Sequence, residues 1–202
     1  MCILREKKLL YIHIPKTGGT SIEKLFLQEN GSDLEQYPKF NPDVLTGINK
    51  KGKTLNHLKL GEYKEFVDIS EYFIFTVFRN PIDRLVSSFN FQNYIRRQNN
   101  SFDFYLDLVE EMNIQKLNTN KYNYLYVEPQ INYFKGYKID KIIKFHNLND
   151  EMKNICERFN FKNSLKHHNV SRKAITTENL TQEQKDRIRK IYAEDFFIYD
   201  KL

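Results

Sequence analysis

Residues 8–28 read KLLYIHIPKTGGTSIEKLFLQ, and the fold is decided there. Lys8–Ile14 is β-branched and aromatic, the composition of a strand, and Pro15–Thr20 breaks it. From Ser21 to Gln28 the apolar residues Ile22, Leu25 and Phe26 fall at i, i+3 and i+4, which is one face of a helix. Strand, glycine turn and helix form the layout in which backbone N–H groups and the helix dipole meet an anion. Gly18 and Gly19 let amides approach without interference from a Cβ. Thr17, Thr20 and Ser21 add hydroxyl donors, and Lys16 adds a mobile positive charge. This is not a Walker A loop, because Lys16 precedes the glycine pair instead of following G-x-x-x-x-G. An ordinary Gly-rich turn with a surface lysine is the alternative. The clustering of so many anion-binding groups directly after a strand argues against it.

The 202 residues suit one domain with a substantial core, and a single domain over residues 1–202 is expected. With 40% hydrophobic and 29% charged residues, wholesale disorder is excluded. Sixteen Phe and 13 Tyr with no Trp point to a Phe-rich core. A net charge of +6 favours anionic ligands, although a lysine-solvated surface gives the same number. Cys2 and Cys156 are too few for a disulfide framework or a metal site. The longest apolar run, Tyr72–Phe78, is too short to span a bilayer. The N-terminus lacks the apolar stretch of a secretory signal, and Cys2 in place of Gly excludes N-myristoylation. The expected compartment is the cytoplasm.

Outward from the opening stretch, residues 30–53 are polar and read as a surface loop. Thr54–Leu58 is expected to be a short strand, followed by a helix around Glu62–Val67. Tyr72–Phe78 (YFIFTVF) is continuously apolar, as suits a strand covered on both faces. Asn80 reads as a helix N-cap with Pro81 at the first helical position. Ile82, Leu85, Val86 and Phe89 line the buried side of that helix, and Asp83, Arg84, Ser87 and Ser88 its opposite side. Further helices are expected over 101–111 and Asn147–Phe159, and a strand over Ile139–Phe145, while 112–128 is ambiguous. Lys166–Thr177 is a polar loop. Thr181 and Gln184 form a capping box that opens a final helix. Alternating strands and helices argue for an α/β fold with a mainly parallel sheet.

The segment IPKTGGTS at residues 14–21 resembles the 5'-phosphosulfate loop of sulfotransferases that use PAPS, 3'-phosphoadenosine 5'-phosphosulfate. A second family motif is similar to FRNPIDRLVSS at residues 78–88. In that motif an Arg at a strand end and a Ser eight residues on bind the donor's 3'-phosphate, positions held here by Arg79 and Ser87. An Arg fork leaving a strand, with a hydroxyl two helical turns along, suits a phosphate. LNHLKLGEY at 55–63 resembles the segment carrying the family's catalytic His, here His57. EPQINY at 128–133 is similar to a Gln-containing stretch near the active site. HHNVSR at 167–172 resembles a late loop that closes over the nucleotide, which adds Ser171 and Arg172. The resemblance is closest to carbohydrate sulfotransferases of the heparan-sulfate 2-O type and their short bacterial relatives. Two departures stand out: His146-Asn147-Leu148 occupies a Glu-x-Leu step, and the membrane anchor and stem of the animal enzymes are missing.

The resemblance implies a three-layer, P-loop-like α/β fold whose central, mainly parallel sheet is flanked by helices. It also implies in-line transfer of a sulfuryl group from PAPS to a hydroxyl, with a carbohydrate as the expected acceptor and PAP as product. Lys16 and the amides of Gly18–Ser21 would stabilise charge on the oxygen bridging to PAP. His57 leads the candidates for general base, with His13 and His167 as alternatives; His13 also suits an orienting role, and His146 a structural one. The chemistry requires no metal, and no metal-ligand spacing is visible. Acceptor contacts are expected from 30–53 and 95–125, where Lys50, Lys51 and Lys53 make a basic rim that favours acidic glycans. Two rivals fit less well. A P-loop kinase needs Gly-Lys-Ser/Thr and carboxylates for Mg²⁺. A polyanion or nucleic-acid binder leaves the two spaced anion motifs unexplained, so no nucleic-acid partner is expected.

Overall fold

Four strands, β1 (Cys2–Leu4), β2 (Leu9–Ile12), β3 (Phe73–Phe78) and β4 (Lys141–Lys144), form one sheet in the order β1-β2-β3-β4. β2, β3 and β4 run parallel, with Tyr11 beside Phe75 and Val77 beside Ile143. β1 adds an antiparallel edge, with Ile3 opposite Leu10. The computed structural model describes residues 2–32, 55–97, 100–114, 124–166 and 174–202. It divides into two compact units, Met1–Phe78 with Asn132–Asn169, and Arg79–Ile131 with Val170–Leu202.

The sheet belongs to the first unit. Parallel neighbours need a crossover, and helix α1 (Gly19–Glu29) lies in the connection from β2 to β3. β4 leads into the helix over Leu148–Arg158. Ile22, Leu25 and Phe26 of α1 pack with Met152 and Ile155 against Leu9, Tyr11, Phe75 and Val77 in one buried cluster. Each such side chain taken out of water contributes about 1.5–3 kcal/mol. The continuous apolar reading of 72–78 is thus met by a strand buried along nearly all its length. The α/β class with a mainly parallel sheet is what the alternating pattern led one to expect.

In the stretch that starts at residue 55, two elements of the first unit differ from expectation. Residues 55–58 make a turn instead of a strand, and a 3₁₀ helix over Leu60–Glu65 replaces the expected α-helix. The buried residues Leu55, Leu58, Leu60 and Tyr63 recur mostly at steps of two or three, which fits turns better than either regular period. Lys59 N–H donates to the Glu62 carboxylate at 2.7 Å and opens that 3₁₀ helix. The Tyr63 hydroxyl donates to the Tyr11 carbonyl at 3.0 Å and fastens it to β2.

In the second unit, α2 (Pro81–Arg96) and α3 (Phe102–Ile114) share a core with the C-terminal residues Ile188, Tyr192 and Phe196. Asn80 caps α2 as expected, its Oδ1 accepting from the N–H groups of Ile82 at 3.0 Å and Asp83 at 3.4 Å. The Thr181–Gln184 capping box is also present. The single final helix is instead two, Gln182–Ile191 and Ala193–Tyr199, broken at Tyr192, whose hydroxyl donates to the Val127 carbonyl at 2.6 Å. The polar side of α2 departs from expectation too. Arg84 and Ser88 are buried, Arg84 Nη1 donating to the Glu128 carbonyl at 2.9 Å and Ser88 Oγ bonded to the Tyr105 hydroxyl at 2.9 Å. An i, i+4 pair of polar side chains here faces other polar groups in the interior, not water.

Candidate functional site

The loop leaving β2 runs from His13 to Gly18 and delivers the chain into α1. Lys16 sits at φ +70°, a left-handed conformation that costs a non-glycine residue about 1–2 kcal/mol. Lys16 is half-buried, and such strain at a loop lysine is the kind of outlier that marks a binding loop. Gly18 caps α1 at φ +84°, and a Cβ there would lie 3.0 Å from the Phe145 ring. Gly19 needs its bare Cα for a different reason: a Cβ would stand 2.0 Å from Cδ2 of His13. The first turn of α1 carries no acidic residue, so the positive end of its dipole is not neutralised from within. Thr17 differs from expectation. It is buried, and its hydroxyl donates to the Ile14 carbonyl at 2.7 Å, so it braces the loop from inside. What Thr17 can offer an anion is its backbone N–H. Thr20 keeps partial exposure, while Ser21 is buried with its N–H donating to the Gly18 carbonyl at 3.1 Å.

Beneath this loop the first unit gathers four polar residues. His13 Nδ1 lies 2.7 Å from Glu23 Oε1. Asn56 Nδ2 donates to both Glu23 oxygens, at 3.1 and 3.0 Å. His57 Nδ1 lies 3.1 Å from the His13 carbonyl oxygen, and the two imidazole rings are 4.3 Å apart. A carbonyl only accepts, so His57 must carry its proton on Nδ1, and the neutral ring then presents a bare Nε2. Burial pushes His57 well below its ordinary value, and the nearby charge of His13 pushes the same way. His57 is therefore neutral near pH 7, the state a proton acceptor needs. Burial also lowers His13, against the opposing pull of Glu23. The His13 ring is held between Glu23 and Gly19, which suits orientation better than catalysis. Glu23 is 0% exposed. Burial alone would raise its carboxyl, but neighbouring positive charge, including that of His13, holds it well below the usual range.

In the second unit, Arg79 is fixed by its backbone. Gln130 accepts the Arg79 N–H on Oε1 at 3.0 Å and donates from Nε2 to the Arg79 carbonyl at 2.8 Å. Gln130 is itself held by Asp195, whose carboxylate accepts the N–H groups of Gln130 at 2.8 Å and Ile131 at 3.0 Å. Both Gln130 and Asp195 are 0% exposed. The Arg79 guanidinium stays partly accessible, and burial works against its charge. Ser87 keeps partial exposure on α2. Asn90, one turn beyond Val86, accepts the N–H groups of Ala174 and Ile175, both at 3.1 Å, and so anchors the end of the late polar loop.

Ser171, Arg172, His167 and the basic rim of Lys50, Lys51 and Lys53 lie outside the described residues. Sequence reasoning named Lys16–Ser21, His57, Arg79 and Ser87 as candidates, and it pointed to the stretch around Gln130 without giving Gln130 a task. It missed Glu23, Asn56 and Asp195. Periodicity gave no signal for Glu23; only the structure shows that it shares a buried face of α1 with Leu27. Among the described residues no helix is long and apolar enough to cross a membrane, and no group of three His, Cys, Asp or Glu is placed to hold a metal.

Residues 1–201 match the family model described as Sulfotransferase family. Among solved structures, the chain is similar to a sulfotransferase from Alicyclobacillus acidocaldarius at 16% identity, covering 92% of this chain and 91% of that one with a TM-score of 0.48. No curated protein matches it significantly.

Proposed function

The chain belongs to the sulfotransferase family, and from this we propose that it moves the sulfuryl group of PAPS to a carbohydrate hydroxyl with His57 as general base. The observation that carries this reading is the bond from His57 Nδ1 to the carbonyl of His13. It hangs a neutral imidazole, with Nε2 open, on the same short segment that carries Lys16. Base and cation are thus fixed by one loop.

The residues of the loop suit a phosphosulfate. The strained Lys16, the left-handed cap at Gly18 and the unneutralised start of α1 are what an anion requires. As the hydroxyl oxygen bonds to sulfur, the bond from sulfur to the 5'-phosphate oxygen of PAP breaks. The hydroxyl proton passes to Nε2 of His57. The charge left on the PAP oxygen is met by the Lys16 ammonium and the amides that open α1. Arg79 and Ser87 take the 3'-phosphate, with the Gln130 side chain holding the Arg79 backbone in one conformation.

Binding of the product tests the donor. Calorimetry with PAP in EDTA should give a saturable isotherm, because neither phosphate needs a metal in this scheme. No heat at millimolar PAP would overturn the assignment of PAPS.

A further inference from the structure

We infer that Glu23 is a positioning residue for the transfer reaction, gripping the two residues that hold His57 and supplying the negative charge that favours protonation of its ring. The inference rests on the proposed role of His57 as base and adds a residue that role does not name.

The geometry is specific. Glu23 sits on α1 with its carboxylate wholly buried, where an isolated charge costs several kcal/mol after relaxation. An apolar residue of similar volume at such a site is often neutral or stabilising, so packing alone does not explain a carboxylate here. Two of its partners lead to one place. One is the His13 ring, whose own backbone carbonyl takes the proton on His57 Nδ1. The other is the amide of Asn56, the residue that precedes His57 in the chain. Glu23 thereby fixes both supports of His57, and with them the Nδ1–H tautomer that leaves Nε2 open. Gly19 completes the arrangement, since any Cβ there would push into the His13 ring that Glu23 holds.

The charge matters as well as the contacts. Three charged or titratable groups act on His57: Glu23 from α1, His13 from the end of β2, and the amino-terminal charge. Glu23 is the negative one, and it acts against burial and against the other two. When Nε2 takes the hydroxyl proton, the resulting imidazolium is stabilised by that carboxylate. Without that charge, His57 is a weaker base.

Glu23→Gln separates these ideas from a purely structural role. A glutamine Oε1 can still accept from His13 and Asn56, so one bond to each support persists, while the second Asn56 bond is lost together with the charge. Followed by ¹H–¹⁵N NMR of the imidazoles, His57 should titrate about one pH unit lower in E23Q than in the wild type. PAP affinity and melting temperature should stay close to wild type. An unchanged His57 titration in folded E23Q, or an effect on melting temperature alone, would overturn the inference. Should E23Q not fold, the wild-type spectrum decides: His57 must appear as the Nδ1–H tautomer, and an Nε2–H signal would overturn it. Neither spectrum depends on an acceptor. Failure of the base assignment would show separately, as an active His57→Ala.

Discussion

His57→Ala should lower kcat for sulfuryl transfer by roughly 10²–10⁴-fold, the range that general base catalysis supplies. An alcohol has a far higher pKa than imidazole, so its proton must leave as the new S–O bond forms. His57 meets the geometric requirement through its fixed tautomer and the chemical one through its neutrality. Burial, followed by the charge of His13, holds it well below the ordinary value of 6.5. In the proposed role the active form is the deprotonated one, so kcat/KM should fall only as pH drops through a value below 6.5. That acidic limb should disappear in the mutant. PAP affinity should stay near wild type and the fold should persist, because the bond that His57 donates runs to the His13 carbonyl and the turn keeps its buried Leu55, Leu58, Leu60 and Tyr63. A mutant retaining more than about a tenth of wild-type kcat would contradict the assignment. His13 is poorly placed to take over, with its ring held between Glu23 and Gly19.

Arg79→Ala should erase most of the preference for PAPS over APS, which lacks the 3'-phosphate. Hydrogen bonds to charged groups are worth about 1.5–3 kcal/mol each. If Arg79 and Ser87 both contact the 3'-phosphate as proposed, the preference should be on the order of 10²-fold or more. Two features of the second unit sharpen the expectation. Gln130 binds Arg79 only through the backbone, so removing the side chain leaves the Gln130 bonds intact. Partial burial disfavours the guanidinium charge, and a phosphate partner relieves that cost. The effect should be confined to KM for PAPS and leave APS nearly unchanged. A mutant that still discriminates like wild type would remove Arg79 from the 3'-phosphate site.

Local signals in the chain account for most of what proved legible. The strand–turn–helix of 8–28, the apolar run at 72–78, the Asn80-Pro81 helix start and the Thr181–Gln184 box each rest on short-range chemistry, and each appears in the structure. The segment around His57 did not read correctly. Its four buried apolar side chains follow neither a period of two nor one of 3.6, and the turn is held by a bond between residues 44 apart, His57 and His13. β1 went unnoticed because only three residues pair, and the edge exists only once β2 is in place.

Part of the candidate site was invisible for a related reason. Glu23 reads as an ordinary solvated helix residue until Asn56 and His13 are brought against it. Asp195 reads as a helix-start acid until the amides of Gln130 and Ile131 meet it. Buried polar networks are specified by partners distant in sequence, and periodicity carries no record of them. Thr17 shows the reverse error. Its hydroxyl reads as an anion donor by composition, yet in the structure it donates to the Ile14 carbonyl three residues back.

The most direct test of the central claim is transfer of label from ³⁵S-PAPS, in EDTA, to a panel of polysaccharides and small alcohols. Label should appear on at least one polysaccharide, with one PAP released for each sulfuryl group transferred, and Lys16→Ala should reduce the rate by about 10²-fold or more. Absence of labelled product together with absence of PAP release, while Mg²⁺-dependent transfer from ATP occurs in the same preparation, would contradict it.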